Sequence, residues 1–260
     1  MTVSSWAIER YEALASTQDE AKSLNANGLP RPFAVVADRQ LQGRGRQGNT
    51  WDSPKGNLYT TLCFDADAPR EAIGHYAFVV AVAAAQAIEA TLGDTDIPYD
   101  LRLKWPNDIL IDGRKVAGIL LETDTGEGGG LHIYAGIGIN FAPQDDPMRI
   151  SLSACAGENG TLDIEAFLHL LLHQIDAQCA VYKEQGFAEI REEWLVRAYR
   201  LGKTIRARTP KSTQEGIFEG LDADGALLMT LDNGDRTRIT AGEVFFPETK
   251  GEGVSHAFDD

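Results

Sequence analysis

Within nine residues, Gly43-Arg44-Gly45-Arg46-Gln47-Gly48-Asn49-Thr50-Trp51, the chain sets three glycines and two arginines. Glycine admits positive φ and lets a backbone come close to a ligand. Arginine brings a planar, permanently charged fork that fits carboxylate and phosphate. The 260-residue chain carries a net charge of -15, so this cationic loop predicts a strap over a small anion. Gly43-x-Gly45-x-x-Gly48 also satisfies the dinucleotide spacing, which requires a helix opening at the loop. Asn49-Thr50-Trp51-Asp52-Ser53-Pro54 starts no helix, so a nicotinamide site is set aside. Taken alone, the loop also reads as a solvated turn.

A second cluster is Leu103-Lys104-Trp105-Pro106-Asn107-Asp108. Lys104 supplies a point positive charge, and Asn107 and Asp108 offer oxygens suited to a hard cation such as Mg2+. Gly113 to Glu122 follows, with Lys115 at the head of an apolar strand. Singly, each has a plainer reading: a packed Trp-Pro turn and a strand-edge lysine. His169 and His173 stand four apart on a helix but enclose Leu170-Leu171-Leu172 without a glutamate, so a zinc site is not expected. Cys63 and Cys155 have no neighbouring base in sequence and are not expected to be nucleophiles.

The elements that must position these groups follow from periodicity. Thr17 and Glu20 have capping-box spacing, with Asp19 and Glu20 in the first turn, and predict a helix to about Asn27-Gly28. Residues 33–38, 58–64, 102–105, 109–111, 115–123 and 131–141 read as strands, the first delivering the chain into the glycine loop. Asp112-Gly113 reads as a hairpin turn, and Glu127 to Gly130 as another. Residues 71–92, 164–184 and 187–200 read as helices. Beyond Leu201-Gly202, short strands at 204–208, 216–221, 226–231, 237–240 and 243–246, with turns at Asp224-Gly225 and Asn233-Gly234, predict a small β-barrel. Domains are therefore expected at 1–200 and 201–249, with a polar, disordered tail at 250–260.

Bulk properties narrow the class. The hydrophobic share of 43% can bury a proper core. A pI near 4.7 argues against general nucleic-acid binding and against a polybasic membrane anchor. The longest apolar run, Tyr76 to Ala85, is far short of the ~20 residues that span a bilayer. The N-terminus lacks a signal-peptide pattern, and three widely spaced cysteines fit free thiols in a reducing compartment. A soluble, cytoplasmic protein is expected, with no DNA or membrane partner.

Together the stretches resemble the biotin–protein ligase family. The resemblance rests on Ser16-Thr17-Gln18, on Gln40 with Gly43-Arg44-Gly45-Arg46, and on Trp51-x-Ser53-Pro54-x-Gly56-Asn57-Leu58-Tyr59. It continues through Lys104-Trp105-Pro106-Asn107-Asp108, Arg114-Lys115-x-Ala117-Gly118-Ile119-Leu120-x-Glu122, and Gly136-Ile137-Gly138-Ile139-Asn140. Order and spacing run over residues 8–247. The resemblance implies an α+β fold, a mixed sheet flanked by helices, of the class II synthetase-like biotin/lipoate ligase type, with a small C-terminal SH3-like barrel. It implies a reaction in which biotin's carboxylate attacks the α-phosphate of ATP, giving biotinyl-5′-AMP and pyrophosphate. A carrier lysine then displaces AMP, the natural acceptor being the biotin carboxyl carrier domain of acetyl-CoA carboxylase.

It also implies roles. Arg46, Lys115 and Lys104 are the catalytic cations. Biotin is met by Ser16, Thr17, Gln18, Gln40, Gly43, Arg44, Gly45, Arg46, Lys115 and Gly118. ATP and adenylate are met by Arg44, Arg46, Trp51, Lys104, Asn107, Lys115 and Asn140, with Asn140 on adenine and Mg2+ near Asn107 and Asp108. Gln47 and Asn49 stand where the family often has arginines, which lowers the loop's charge. Some members begin with a helix-turn-helix; here Ser16-Thr17 comes almost at once, so neither that domain nor a repressor role is expected. A lipoate or octanoate ligase of the same fold, and a non-catalytic biotin sensor, are the alternatives. The 131–141 strand, read as an edge, is expected to pair with a second subunit or with the carrier. No residue marks itself as the base for lysine transfer.

Overall fold

The apolar runs of the chain pair into two sheets. A computed structural model describes residues 5–93, 97–126, 129–157, 162–210 and 212–246. In chain order the elements are β1 (Ala7–Tyr11), α1 (Thr17–Ala26), β2 (Phe33–Ala37), β3 (Leu58–Asp65), α2 (His75–Leu92), β4 (Leu101–Lys104), β5 (Asp108–Ile111), β6 (Arg114–Thr125) and β7 (Leu131–Ile139). Then come α3 (Leu152–Ala156), α4 (Ile164–Gln185), α5 (Phe187–Val196), β8 (Thr204–Arg208), β9 (Thr213–Leu221), β10 (Leu227–Leu231), β11 (Arg236–Ile239) and β12 (Glu243–Phe245). The first sheet runs β1-β2-β3-β7-β6-β5-β4, and only its β1–β2 pair is parallel. The second, antiparallel sheet runs β11-β10-β9-β8-β12.

Strand alternation decides what each face of the first sheet carries. On β3, Leu58, Leu62 and Phe64 enter a large core with α2, whereas Cys63 joins Phe33, Val35, Tyr134 and Ala21 of α1 in a small one. The sheet is thus covered by α1 on one side and by α2, α4 and α5 on the other. By length and composition α2 could cross a bilayer, but it is packed in the core. At the Asp112-Gly113 turn both residues take positive φ, 51° and 75°. That is the two-residue hairpin conformation whose twist matches its strands, and it places Lys115 two residues past the reversal.

Several sequence expectations need correction. Ser16, not Thr17, caps α1, with its Oγ accepting from the Gln18 N–H at 3.2 Å. The strand at 131–139 is no edge: it lies between β3 and β6 and its backbone is spent on both, so it pairs with no other chain. The sheet ends instead at β1, which the sequence reading missed, and at β4, whose Leu103 is bonded to Arg197 and Tyr199. The helix expected from 71 begins at His75, that expected to 200 ends at Val196, and α3 was not foreseen. The 250–260 tail and part of the 127–130 turn lie outside the described residues.

The second sheet docks on the first through aromatic contacts. Trp105 Nε1 donates to the Gly225 carbonyl at 3.1 Å, and Phe78 packs edge-on to Phe187 and Trp194 beneath it. His75 stacks on Phe187 at 3.9 Å, meets the Tyr182 hydroxyl at 3.0 Å and bonds the Ala223 backbone. Burial pulls its pKa below the usual histidine range, and nearby Asp224 and Asp222 only partly oppose this. The unfolded chain therefore takes up this proton more readily than the folded one. The stabilisation is complete above pH about 6.5 and is lost as pH falls from there towards the depressed folded value. Thermal melts are expected to show this slope, flattened in His75→Phe; an unchanged slope in the variant would assign it to other groups.

Candidate active site

One cavity of about 490 Å³ opens between the first sheet, the glycine loop and the second sheet. Its neutral polar end is the start of α1. Ser16 and Thr17 are buried there, at 3% and 4% exposure. Gln40 Oε1 accepts from the Thr17 N–H at 2.9 Å and the Thr17 hydroxyl at 3.1 Å, and Thr61 Oγ1 donates to Thr17 Oγ1 at 2.9 Å. Gln40 Nε2 donates to Ser53 Oγ, and that hydroxyl donates to the Trp51 carbonyl. A chain of hydrogen bonds thus ties the polar end to the loop. Gln18 is turned to the protein: Nε2 donates to the Tyr134 and Leu120 carbonyls, and Oε1 lies 3.0 Å from Thr61 Oγ1.

The glycine loop folds as a small hairpin. Arg44 and Thr50 form a bridge, Trp51 N donates to Gly43 O at 2.9 Å, and Gly45 N donates to Asn49 O at 2.7 Å. Its tip, Arg46 to Gly48, is one helical turn with Gln47 at φ 54°. Gly43 does not line the cavity, but a side chain there would meet Ser53 Oγ at 2.7 Å as well as the Trp51 backbone. The hairpin returns Trp51 into the site, where its indole lies over Gly118 of β6 and Gly138 of β7, which are register partners. Its Nε1 is buried and has no hydrogen-bond partner among the described residues. Lys115 Nζ and Arg149 Cζ stand 5.0 and 5.5 Å from the ring centre.

Five basic side chains line the cavity: Arg44, Arg46, Lys104, Lys115 and Arg149; Asp108 and Glu243 are the acidic ones. Lys115 Nζ pairs with Asp108 Oδ1 at 2.6 Å. Arg46 donates to Asn107 Oδ1 at 3.1 Å and to the Gly242 carbonyl at 3.3 Å, linking loop, first sheet and second sheet. Arg44 sits at the mouth, paired with Asp19 at 2.6 Å. Lys104 lies 5.4 Å from the Phe246 ring. Burial pushes the Lys104 ammonium below the ordinary lysine range and Lys115 adds to that, while Asp108 and Glu243 oppose it. Burial likewise lowers Arg46, against Asp108 and Glu243. Such crowding of partly desolvated cations is relieved by an anion, which is what the site is built to receive.

Most of the residues singled out from sequence therefore converge. Asn140 does not line the cavity: its Nδ2 donates to the Lys115 and Ile150 carbonyls, so it braces the Lys115 backbone from behind. Asn107 Oδ1 accepts from Arg46 and its amide donates to Ile119 O, so it is spent on the protein. Thr61, Arg149 and Glu243 were not foreseen; none sits in a recognisable run. His169 faces Glu165 at 3.1 Å on the exposed side of α4.

Residues 11–140 match the biotin/lipoate A/B protein ligase family, and residues 201–246 the biotin protein ligase C terminal domain. The chain is 42% identical over 238 residues to the biotin–[acetyl-CoA-carboxylase] ligase of Paracoccus denitrificans, covering 89% of this chain and 97% of that one. It belongs to the biotin/lipoate protein ligase family. Members alike in sequence include the bifunctional ligase/repressor BirA of Bacillus subtilis, 36% identical over 233 residues, which span 86% of this chain and 69% of that one. Among solved structures, the biotin protein ligase of Aquifex aeolicus in complex with biotin and ATP superposes with a TM-score of 0.75 at 27% identity, over 92% of this chain and 97% of that one. The biotin/lipoate ligase fold, two sheets with helices flanking the first, follows from both.

Proposed function

We infer that this family member is an ATP-dependent biotin–protein ligase that forms biotinyl-5′-AMP and passes the biotinyl group to a lysine of a carboxylase carrier domain. The observation that carries the reading is the cavity's polarity: a neutral hydrogen-bonding end at Ser16, Thr17 and Gln40, and a cationic end at Arg46, Lys104 and Lys115. A ureido ring suits the first, because a site that pairs such groups rejects acids lacking them. The Trp51 indole, packed onto Gly118 and Gly138, offers an apolar surface that suits an aliphatic tail. The acid's carboxylate then arrives among the cations.

Two anions must meet for the chemistry, the carboxylate and the α-phosphate. Lys115 and Arg46, already held by β6 and the loop, neutralise the pair before it reacts and need no reorganisation during it. As the carboxylate oxygen bonds to phosphorus, the bond to pyrophosphate breaks, and Lys104 offsets charge on the leaving group. The loop hairpin keeps water from the mixed anhydride until the carrier amine attacks its carbonyl and AMP departs. For Mg2+, the Asp108 carboxylate fits an ion that brings most of its ligands as phosphate and water oxygens, with Asn107 already used by Arg46. Bound there, the ion would shield the triphosphate. Three free cysteines support a reducing, cytoplasmic setting.

Biotin-dependent exchange of labelled pyrophosphate into ATP tests the reading, with lipoate and octanoate in parallel. Exchange with biotin alone is expected. Exchange with the other acids alone would sink the substrate, and tight biotin binding without exchange would leave a sensor.

A further inference from the structure

Of the five basic side chains on the cavity, Arg149 is the one that the sequence does not single out and that has no part in the reading above, and the proposal here rests on that reading. Its place is fixed by backbone. Lys115 N donates to Met148 O at 2.8 Å and Ile150 N donates to Lys115 O at 3.0 Å, so residue 149 is the parallel bridge partner of Lys115. Bridge partners send side chains to the same side, and both reach the Trp51 ring. Each cation carries its own counter-charge: Asp108 for Lys115, and Asp146 for Arg149 at 3.3 Å from Nε. Asp146 is itself anchored, its Oδ1 accepting from Met148 N at 2.9 Å. Arg149 Nε is thus engaged, and no bond to another protein group is found for its two terminal nitrogens among the described residues. Two like charges against one ring repel, and a phosphate entering between them reverses the sign of that interaction.

We propose that Arg149 is a nucleotide-binding residue of this site, its terminal guanidinium nitrogens taking the phosphate that Lys115 meets from the other side. It binds phosphate oxygens and has no contact with the biotin ring, whose end of the cavity lies at α1. Calorimetric titration of ATP, and separately of biotin, into the wild type, Arg149→Met and Arg149→Lys tests this. Methionine keeps a stem against Trp51 and removes the charge. In Arg149→Met the ATP Kd is expected to rise at least about tenfold, as for loss of a charge-assisted hydrogen bond. The biotin Kd should stay within about twofold, with Arg149→Lys intermediate for ATP. An unchanged ATP Kd in Arg149→Met overturns the proposal. So does an equal loss for biotin and ATP, which would make Arg149 only a prop for Trp51. Because binding is read directly, the result stands apart from whether the wild type catalyses exchange.

Discussion

Lys115→Ala is expected to lower biotin-dependent pyrophosphate exchange by at least about a thousandfold, the upper range for removing one preorganised donor from a charge-developing centre. The reason for placing it at the top of that range is Asp108. In the native site the Asp108 carboxylate is matched by Lys115 Nζ at 2.6 Å. Truncation takes away a positive charge and also exposes a negative one to two incoming anions. Folding should be spared. The Lys115 backbone is held at both its N–H and its carbonyl by Met148 and Ile150, with Asn140 Nδ2 adding a second bond to the carbonyl. The Lys115 side chain itself is 30% exposed. Melting within a few degrees of wild type, biotin still bound and exchange abolished is the expected set. Exchange within tenfold of wild type would remove Lys115 from the chemistry.

What could be seen in the sequence, and what could not, divides along one physical line. Ser16 to Gln18, Gln40, the glycine loop, Lys104 to Asp108 and Lys115 sit at element ends, where a short run of residues fixes both backbone and side-chain direction. The Asp112-Gly113 hairpin is of the same kind: two positive φ values written in two residues. Arg149 and Glu243 reach the cavity from segments whose position depends on long-range pairing, 149 on Lys115 and 243 on Arg208. Nothing local marks either. Strand order is likewise a long-range property. Residues 131–139 alternate like any half-covered strand, and only the pairing of β3 with β7, across 66 or more residues, puts them in the middle. Asn140 was misread because a polar residue after a glycine-rich strand looks available; the carbonyls of 115 and 150 had already claimed it.

Gly138→Ala is the other change expected to have a large effect, on the order of a hundredfold in kcat/KM for biotin, as for small misplacements within a reacting site. A Cβ at 138 would stand 2.5 Å from Trp51 Cε2 and 2.6 Å from Nε1, so the indole must rise from the sheet. It can rise, because the cavity lies above it. The fold therefore loses little while the space for an aliphatic tail closes and the ring leaves its place beside Lys115. Gly216→Ala makes the contrast: there the new Cβ meets the Thr230 carbonyl at 2.5 Å, backbone that cannot swing aside, and the expected loss is in stability. Pairing Gly138→Ala with Trp51→Leu separates steric cause from backbone cause. If the displaced ring is what blocks the tail, the smaller side chain restores part of the biotin affinity that Gly138→Ala loses. Wild-type biotin affinity in Gly138→Ala would mean that the tail does not pass over the indole at all.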